Sequence, residues 1–262
     1  MGVCRSGRRP CPPRGHIGTE EKEAVIAYLD RVIASGTLGA YQGEEEEAYC
    51  AQFAEYLGGG YADAVSSGST AIYVALKALQ LEAFSEVIIG PFTDPGGMMP
   101  IPLQNMVPMI ADSAPGSYNT GPEQIEELIS DRTSAVVVPH IAGEPADMGG
   151  IMEVARRHGI PVIEDCAQAH GTRSGAVAGS FGDISAFSTM SGKHHSSGGQ
   201  GGMVFTRDER STNRFGGWPT AASPIFAGRR HQHRSDAELQ PDRRGGGGGA
   251  GAVAQTAGDG RA

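Results

Sequence analysis

Long apolar runs are missing from this sequence. Nowhere do roughly 18 apolar residues follow one another, which excludes a transmembrane helix and, with it, a membrane partner. Cations are also scarce. Acidic residues outnumber Lys and Arg, 30 to 21, for a formal charge of −9, so the chain lacks the basic face that nucleic-acid binding requires. Charged residues make up 19% and aromatics 6%, too few charges for a coiled coil. The four cysteines, Cys4, Cys11, Cys50 and Cys166, form no C-x-x-C pair and read as reduced thiols of a cytoplasmic protein. A secretion signal is lacking too. Arg5, Arg8, Arg9 and Arg14 lead into Pro and Gly instead of an apolar core, so residues 1–16 are expected to form an unstructured leader.

Glycine is in excess, at 40 of 262 residues, and its distribution divides the chain. From residue 211 onward there are eleven glycines, including the run 245–249, with seven arginines, no lysine and four acidic residues. That stretch carries +3, which leaves −12 on residues 1–210. Neither strand nor helix periodicity runs through it, and such a composition buries too little apolar surface to offset the entropy of ordering. The expected division is a leader (1–16), a folded body (17–210) and a low-complexity, disordered tail (211–262).

The body alternates two periodicities. Val25, Ile26, Leu29, Val32 and Ile33 mark a helix that stops near Gly36. Four glutamates at 44–47, favoured by the dipole of a first helical turn, open a second helix that carries Phe53, Tyr56 and Leu57 and ends in glycines 58–60. A short strand at 64–66 precedes the loop Ser67-Gly68-Ser69-Thr70 and a helix over 71–81. Strands are predicted at 87–89, 107–111, 135–138, 160–163, 184–187 and 203–206, the first two as buried strands. Thr120-Gly121-Pro122-Glu123 has the form of a capping box opening a helix to Ile129, and Asp147 begins a helix closed by His158-Gly159. Strands alternating with helices predict an α/β fold with a mainly parallel sheet. In that architecture ligands lie beyond the carboxyl ends of the strands.

Three loops at such positions carry chemistry. Ser67-Gly68-Ser69-Thr70 stands before a helix, where free N–H groups and small side chains make an anion cradle; an ordinary N-cap accounts for Ser67 or Ser69 equally well. Asp165 ends an apolar strand in the stretch Glu164-Asp165-Cys166-Ala167-Gln168-Ala169-His170-Gly171. A poorly solvated carboxylate there needs a cationic partner such as a protonated ring nitrogen, or it serves as a cap. Lys193 is one of three lysines in the chain and stands among Ser, Gly and His straight after a strand. It is either a nucleophile or a surface lysine in a flexible loop. Gly192-Lys193 does not complete a P-loop, because Phe187 and His194 stand where Gly and Ser or Thr are needed. His194, His195 and His140 lack a carboxylate at metal-site spacing, so no metal is expected. A phosphate cradle, an aspartate for a ring nitrogen and a lone lysine are together the groups that pyridoxal 5'-phosphate requires.

The segments AVSSGSTAI (64–72), VPHIAGEPADM (138–148), VIEDCAQAHG (162–171), GSFGDISAFSTMSGK (179–193) and GGQGGMVFT (198–206) resemble, in order and spacing, the DegT–DnrJ–StrS family of sugar aminotransferases. The resemblance implies a fold-type-I aminotransferase large domain and transfer of an amino group from an amino acid to a ketosugar, nucleotide-linked in that family's manner. It implies that Lys193 carries the cofactor as a Schiff base and that Asp165 pairs with the pyridine nitrogen. Gln168 would meet the ring face or phenolic oxygen, Ser188 and the backbone of Gly68, Ser69 and Thr70 would hold the phosphate, and His140 would line the same pocket. A homodimer is implied as well, each site completed by the neighbouring subunit.

The chain departs from that pattern twice. Where many members place an aromatic after Thr93, it has Asp94-Pro95-Gly96-Gly97, and Asp94 is a candidate to face a substrate amine. The likeness stops near Arg210, short of the family's small C-terminal domain, and residues 211–262 have the look of GC-rich DNA read in a wrong frame. A truncated or frameshifted product, inactive if that domain is needed, is therefore expected. Two alternatives stand beside it. One is a non-catalytic remnant or regulatory cofactor-binding protein. The other is a sugar dehydratase on the same scaffold, whose lysine is replaced by histidine; His194, next to Lys193, keeps that reading open.

Overall fold

The computed structural model describes residues 17–36 and 43–209. They belong to the first of two units into which the chain divides, 1–228 and 229–262. The leader, the tail from 211 onward and the second unit lie outside the described residues.

Periodicity places the first elements well. Helix α1 spans Thr19–Ser35 and α2 spans Glu44–Tyr56, the latter burying Cys50, Phe53 and Ala54 and carrying its four glutamates in the first turn. Strand β1 (Tyr61–Val65) begins earlier than the predicted 64–66, because Tyr61 already pairs with the last strand of the sheet. Helix α3 (Gly68–Ala78) starts three residues before the predicted position, since Ser67 is its N-cap and Oγ accepts from the Thr70 N–H at 3.1 Å. The loop read as an anion cradle is thus the first turn of α3.

Beyond α3 the chain alternates as expected: β2 (Glu86–Ile89), β3 (Val107–Ile110), β4 (Thr133–Pro139), α7 (Met148–His158), β5 (Val162–Asp165), β8 (Ile184–Ser188) and β9 (Gly202–Thr206). Two short helices, α4 (Pro95–Met98) and α5 (Pro100–Leu103), and a small hairpin, β6 (Arg173–Ser174) with β7 (Ala176–Val177), fill connections that show no periodicity in the sequence. Strand β3 corrects the expectation of a buried strand. It forms the edge of the sheet, and its Val107 and Ile110 are exposed. The capping box at 120–123 does not form either. Thr120 Oγ1 donates to the Asp112 carbonyl at 2.8 Å, Gly121 becomes the N-cap, and α6 (Pro122–Glu126) is one turn long instead of reaching Ile129.

The seven strands are ordered β1-β9-β8-β5-β4-β2-β3. The pairs β3/β2, β2/β4, β4/β5 and β5/β8 are parallel, whereas β8/β9 and β9/β1 are antiparallel, so β9 alone is reversed. Alternate residues face opposite layers. Val87, Ile89, Ala135, Val137 and Val204 pack on Ala71, Ile72, Ala75 and Leu76 of α3. Ile88, Val136, Val138 and Val162 pack on Ile151, Val154 and Ala155 of α7. Phe187, Met203 and Phe205 meet Phe53 and Leu57 at the α2 end of the second face. The result is an α/β fold of three layers with a mainly parallel sheet. Its topology brings the carboxyl ends of β1, β2, β4, β5 and β8 to one edge, together with the start of the reversed β9. Among the described residues no helix is long and apolar enough to cross a membrane.

Candidate active site

At that edge lies a cleft of about 200 Å3. Gly68 and Ser69 reach it from the first turn of α3, Asp165 from the end of β5, and Ser188 and Lys193 from the end of β8 and the loop beyond. The three loops singled out in the sequence thus meet in one cavity. Asp94, Gly96 and Gly97 form a further wall, and Met190 and Gln200 belong to the loop between β8 and β9.

The walls approach closely because two positions carry no side chain. A Cβ on Gly68 would stand 2.7 Å from Ser188 Cβ, so the start of α3 meets β8 only as glycine. A Cβ on Gly97 would collide with Thr93 Oγ1 and lie 3.0 Å from Asp165 Oδ2. Asp94 caps α4, its Oδ1 accepting from the Gly96 N–H at 2.8 Å. The place that the resemblance would give to an aromatic is therefore taken by a backbone turn.

Asp165 is buried and accepts at Oδ1 from the Ala167 N–H at 3.0 Å. Oδ2 has no hydrogen-bond partner among the described residues. Burial pushes this carboxyl above its ordinary range; the Ala167 N–H, then His140 and Lys193, oppose that rise, and Asp94 adds to it. A cationic N–H donor in the cleft would relieve the same penalty. At the start of α3 the Thr70 N–H is already satisfied by Ser67, while the Gly68 and Ser69 N–H groups have no partner among the described residues. With the hydroxyls of Ser69 and Ser188 they make a cradle for a dianion at the start of an eleven-residue helix. A buried acceptor, a set of anion donors and a primary amine on one cleft match the polar groups of pyridoxal 5'-phosphate. The residues present fit that group.

Three further residues named from the sequence are not among those lining the cleft. Thr70 turns its hydroxyl to Ser66 Oγ and Ser67 Oγ at 3.0 and 2.9 Å. Gln168 Oε1 accepts from the Ala142 N–H at 2.9 Å, holding the turn after β4. His140 is buried beneath the cleft: its Nδ1 accepts from the Ala146 N–H at 3.1 Å, so Nε2 carries the proton and donates to Glu164 Oε2 at 3.1 Å. Its backbone N–H donates to the Asp165 carbonyl at 3.1 Å, which ties it to the cleft through the sheet. Glu164 and Cys166 complete with His140 a buried cluster of metal-ligand types, a grouping that residue spacing did not reveal. Sequence reasoning did not name Gly96, Gly97 or Gln200 as site residues, although it singled out the segments 94–97 and 198–206 that hold them.

Comparison with known proteins identifies relatives of this chain. The sequence model of the DegT/DnrJ/EryC1/StrS aminotransferase family matches residues 19–216. The chain is 37% identical over 190 residues to an L-glutamine:2-deoxy-scyllo-inosose aminotransferase of Streptomyces fradiae, covering 70% of this chain and 45% of that one. It is 35% identical over 190 residues to GDP-perosamine synthase of Caulobacter vibrioides, covering 72% and 50% respectively. Among solved structures, NtdA of Bacillus subtilis with bound cofactor PMP is 28% identical with a TM-score of 0.70, over 76% of this chain and 45% of that one. The chain thus spans about half the length of the curated relatives it matches. From fold, cleft and family match together, the chain belongs to the DegT/DnrJ/EryC1/StrS aminotransferase family, with the architecture of a fold-type-I large domain.

Proposed function

We propose that residues 17–210 form the cofactor-binding domain of a pyridoxal-phosphate aminotransferase that moves an amino group from an amino-acid donor to a ketosugar, nucleotide-linked as in the GDP-perosamine relative. The single observation that carries this is the convergence of Lys193, Asp165 and the open N-terminus of α3 on one cleft. Bound there, the cofactor supplies an electron sink for the bond broken at the donor α-carbon. The Gly68 and Ser69 N–H groups, with Ser69 and Ser188 Oγ, bind its phosphate. Asp165 Oδ2 accepts from the ring nitrogen and keeps that proton in place, a task suited to a carboxylate sealed from bulk water. Lys193 Nζ would anchor the cofactor. Once displaced by the donor amine, it would serve as the base that takes the donor α-proton and, in the second half-reaction, as the acid or base that moves a proton at the ketosugar carbon. Thr70 holds Ser67 at the start of the cradle, the His140 backbone holds that of Asp165, and Gln168 would meet the ring face or phenolic oxygen. Because Lys193 stands where a dehydratase reading needs histidine, amino transfer is the better reading. A homodimer completing each site is part of the proposal.

The test is direct. Pyridoxal 5'-phosphate added to the full chain is expected to give a visible absorption band, and borohydride to fix the cofactor on Lys193, as read by peptide mass. Both signals should vanish in Lys193→Ala. A wild-type chain that gives neither would remove the proposal. A chain that gives both but transfers no amino group from glutamate or glutamine to a ketosugar would be a cofactor-binding protein without transfer.

A further inference from the structure

The segment that carries Lys193 contains little that could order it. Residues 190–202 are mostly Ser, Gly and His, and the hydrogen bonds within them close on themselves or on the ends of β8 and β9: Ser191 N to the Gly199 carbonyl, Lys193 N to the Met190 carbonyl, Ser197 N to the Thr189 carbonyl. One bond leaves this set. His195 Nε2 lies 2.8 Å from Tyr49 Oη on α2, and the two rings stack with centroids 5.8 Å apart and planes 20° apart. Phe53 and His170 flank the imidazole at 6.3 and 5.8 Å, and Phe53 in turn packs edge-on against Phe187 of β8. His195 therefore sits in an aromatic notch on α2, two residues from the lysine. Among the described residues this is the hydrogen bond that fastens the segment to a helix.

We infer that Tyr49, through His195, is a positioning residue that holds Lys193 at the cleft. The inference rests on Lys193 being the group that bonds the cofactor. Capture of an aldehyde by Nζ forms a carbon–nitrogen bond and releases water. Its rate depends on how much of the time the amine stands within reach of the carbonyl carbon, and a loop of small residues loses that occupancy when untied. The tether suits the task because it is uncharged at neutral pH. Burial pushes the Tyr49 phenol up to about 12 and holds the His195 imidazole below its ordinary range. The phosphate cradle belongs to α3 and does not depend on this tether, so the two can be separated.

Tyr49→Phe keeps the ring and removes the hydroxyl. In the full-length variant, the visible band with pyridoxal 5'-phosphate is expected to appear about tenfold more slowly and to be correspondingly weaker at limiting cofactor, the size of one lost hydrogen bond. Affinity for pyridoxamine 5'-phosphate, which has no aldehyde and uses only the cradle and Asp165, is expected to stay within about twofold of wild type. His195→Phe, which fills the notch without the bond, should behave like Tyr49→Phe, and the double variant should be no worse than either. Equal weakening of both ligands would show a merely structural role and overturn the inference, as would unchanged capture kinetics. A wild-type chain with no Lys193-dependent band would overturn the functional reading and this inference together, whereas a normal wild-type band with an indifferent Tyr49→Phe removes only the tether.

Discussion

A carboxylate sealed from water persists only if its lone pairs are filled, and Glu164 meets that condition beneath the cleft. Oε1 accepts from the Phe181 and Gly182 N–H groups at 2.7 Å each, and Oε2 accepts from the Gly179 N–H at 2.8 Å and from His140. Both of its oxygens and both nitrogens of His140 are therefore committed to protein partners, and a metal at this cluster would have to break those bonds. Glu164→Gln turns an acceptor facing backbone N–H groups into a donor. The expected cost is about 2–4 kcal/mol, read as a lower urea midpoint with an unchanged slope. A variant as stable as wild type would show that the network contributes little. Gly68 makes the complementary case at the cleft. Gly68→Ala sets a methyl 2.7 Å from Ser188 Cβ and must push the start of α3 from β8. It should therefore weaken pyridoxal and pyridoxamine phosphates alike, by roughly tenfold or more by calorimetry. Equal affinities in variant and wild type would mean that the cradle tolerates the shift. Lys193, Asp165 and Gly68 were legible in the sequence because each stands at or after the end of a strand, Lys193 as one of only three lysines. Glu164 as a network centre and Tyr49 as a tether were not, because their partners lie 15 or more positions away.

At the scale of elements, helices with local signals formed where those signals stand. Asp147 caps α7 by accepting from the Gly150 N–H at 3.1 Å, and Gly159 closes it in the left-handed region at φ 68°. Asp147→Ala should cost about 1 kcal/mol of unfolding free energy, and no loss in chemical denaturation would deny the cap its role. The misreadings came from competition that no local window contains. Thr120 turns its hydroxyl to donate to the Asp112 carbonyl instead of accepting from an N–H of its helix's first turn, and β3 looked buried because its apolar residues say nothing about lying at a sheet edge. Strand β1 adds a pH dependence. Burial, with Glu46 adding to it, pushes the Asp63 carboxyl up to about 6. The folded state therefore holds this proton more tightly than the unfolded chain, and Asp63 ionisation costs stability as pH rises from about 4 through about 6. Asp63→Asn should be more stable than wild type at pH 8, by roughly 1 kcal/mol once solvent screening of a group still partly exposed is allowed for. That advantage should fade toward pH 4. A difference that does not change with pH would refute the assignment.

For the whole molecule, the decisive fact is that one amphipathic helix pairs Arg31 with Glu45 of α2 but leaves its apolar stripe uncovered among the described residues. None of the residues of α1 is buried, and Val25, Ile26, Leu29 and Ile33 are 58, 47, 49 and 77% exposed. The helix itself is legible in the sequence. The partner its apolar stripe implies is not found in the described part of the chain, since periodicity reports that a face is apolar and never what covers it. An isolated helix of this length is marginal in water, so its stability must come from a surface that covers the stripe. Exposed patches of roughly several hundred Å2 favour association. If the proposed homodimer supplies that surface, association should depend on protein concentration and strengthen with saturating pyridoxal 5'-phosphate, because a ligand bound by the assembled state shifts the equilibrium toward it. Charging the stripe by Leu29→Glu with Ile33→Glu should weaken association about tenfold or more in sedimentation experiments, since two buried carboxylates would lack partners. The same pair should leave the urea midpoint of dilute protein within about 0.5 kcal/mol of wild type, because neither side chain belongs to the core. A monodisperse monomer at every concentration, with and without cofactor, would show that α1 does not mediate assembly, and a large loss of stability in the charged variant would place the stripe against this chain's own body.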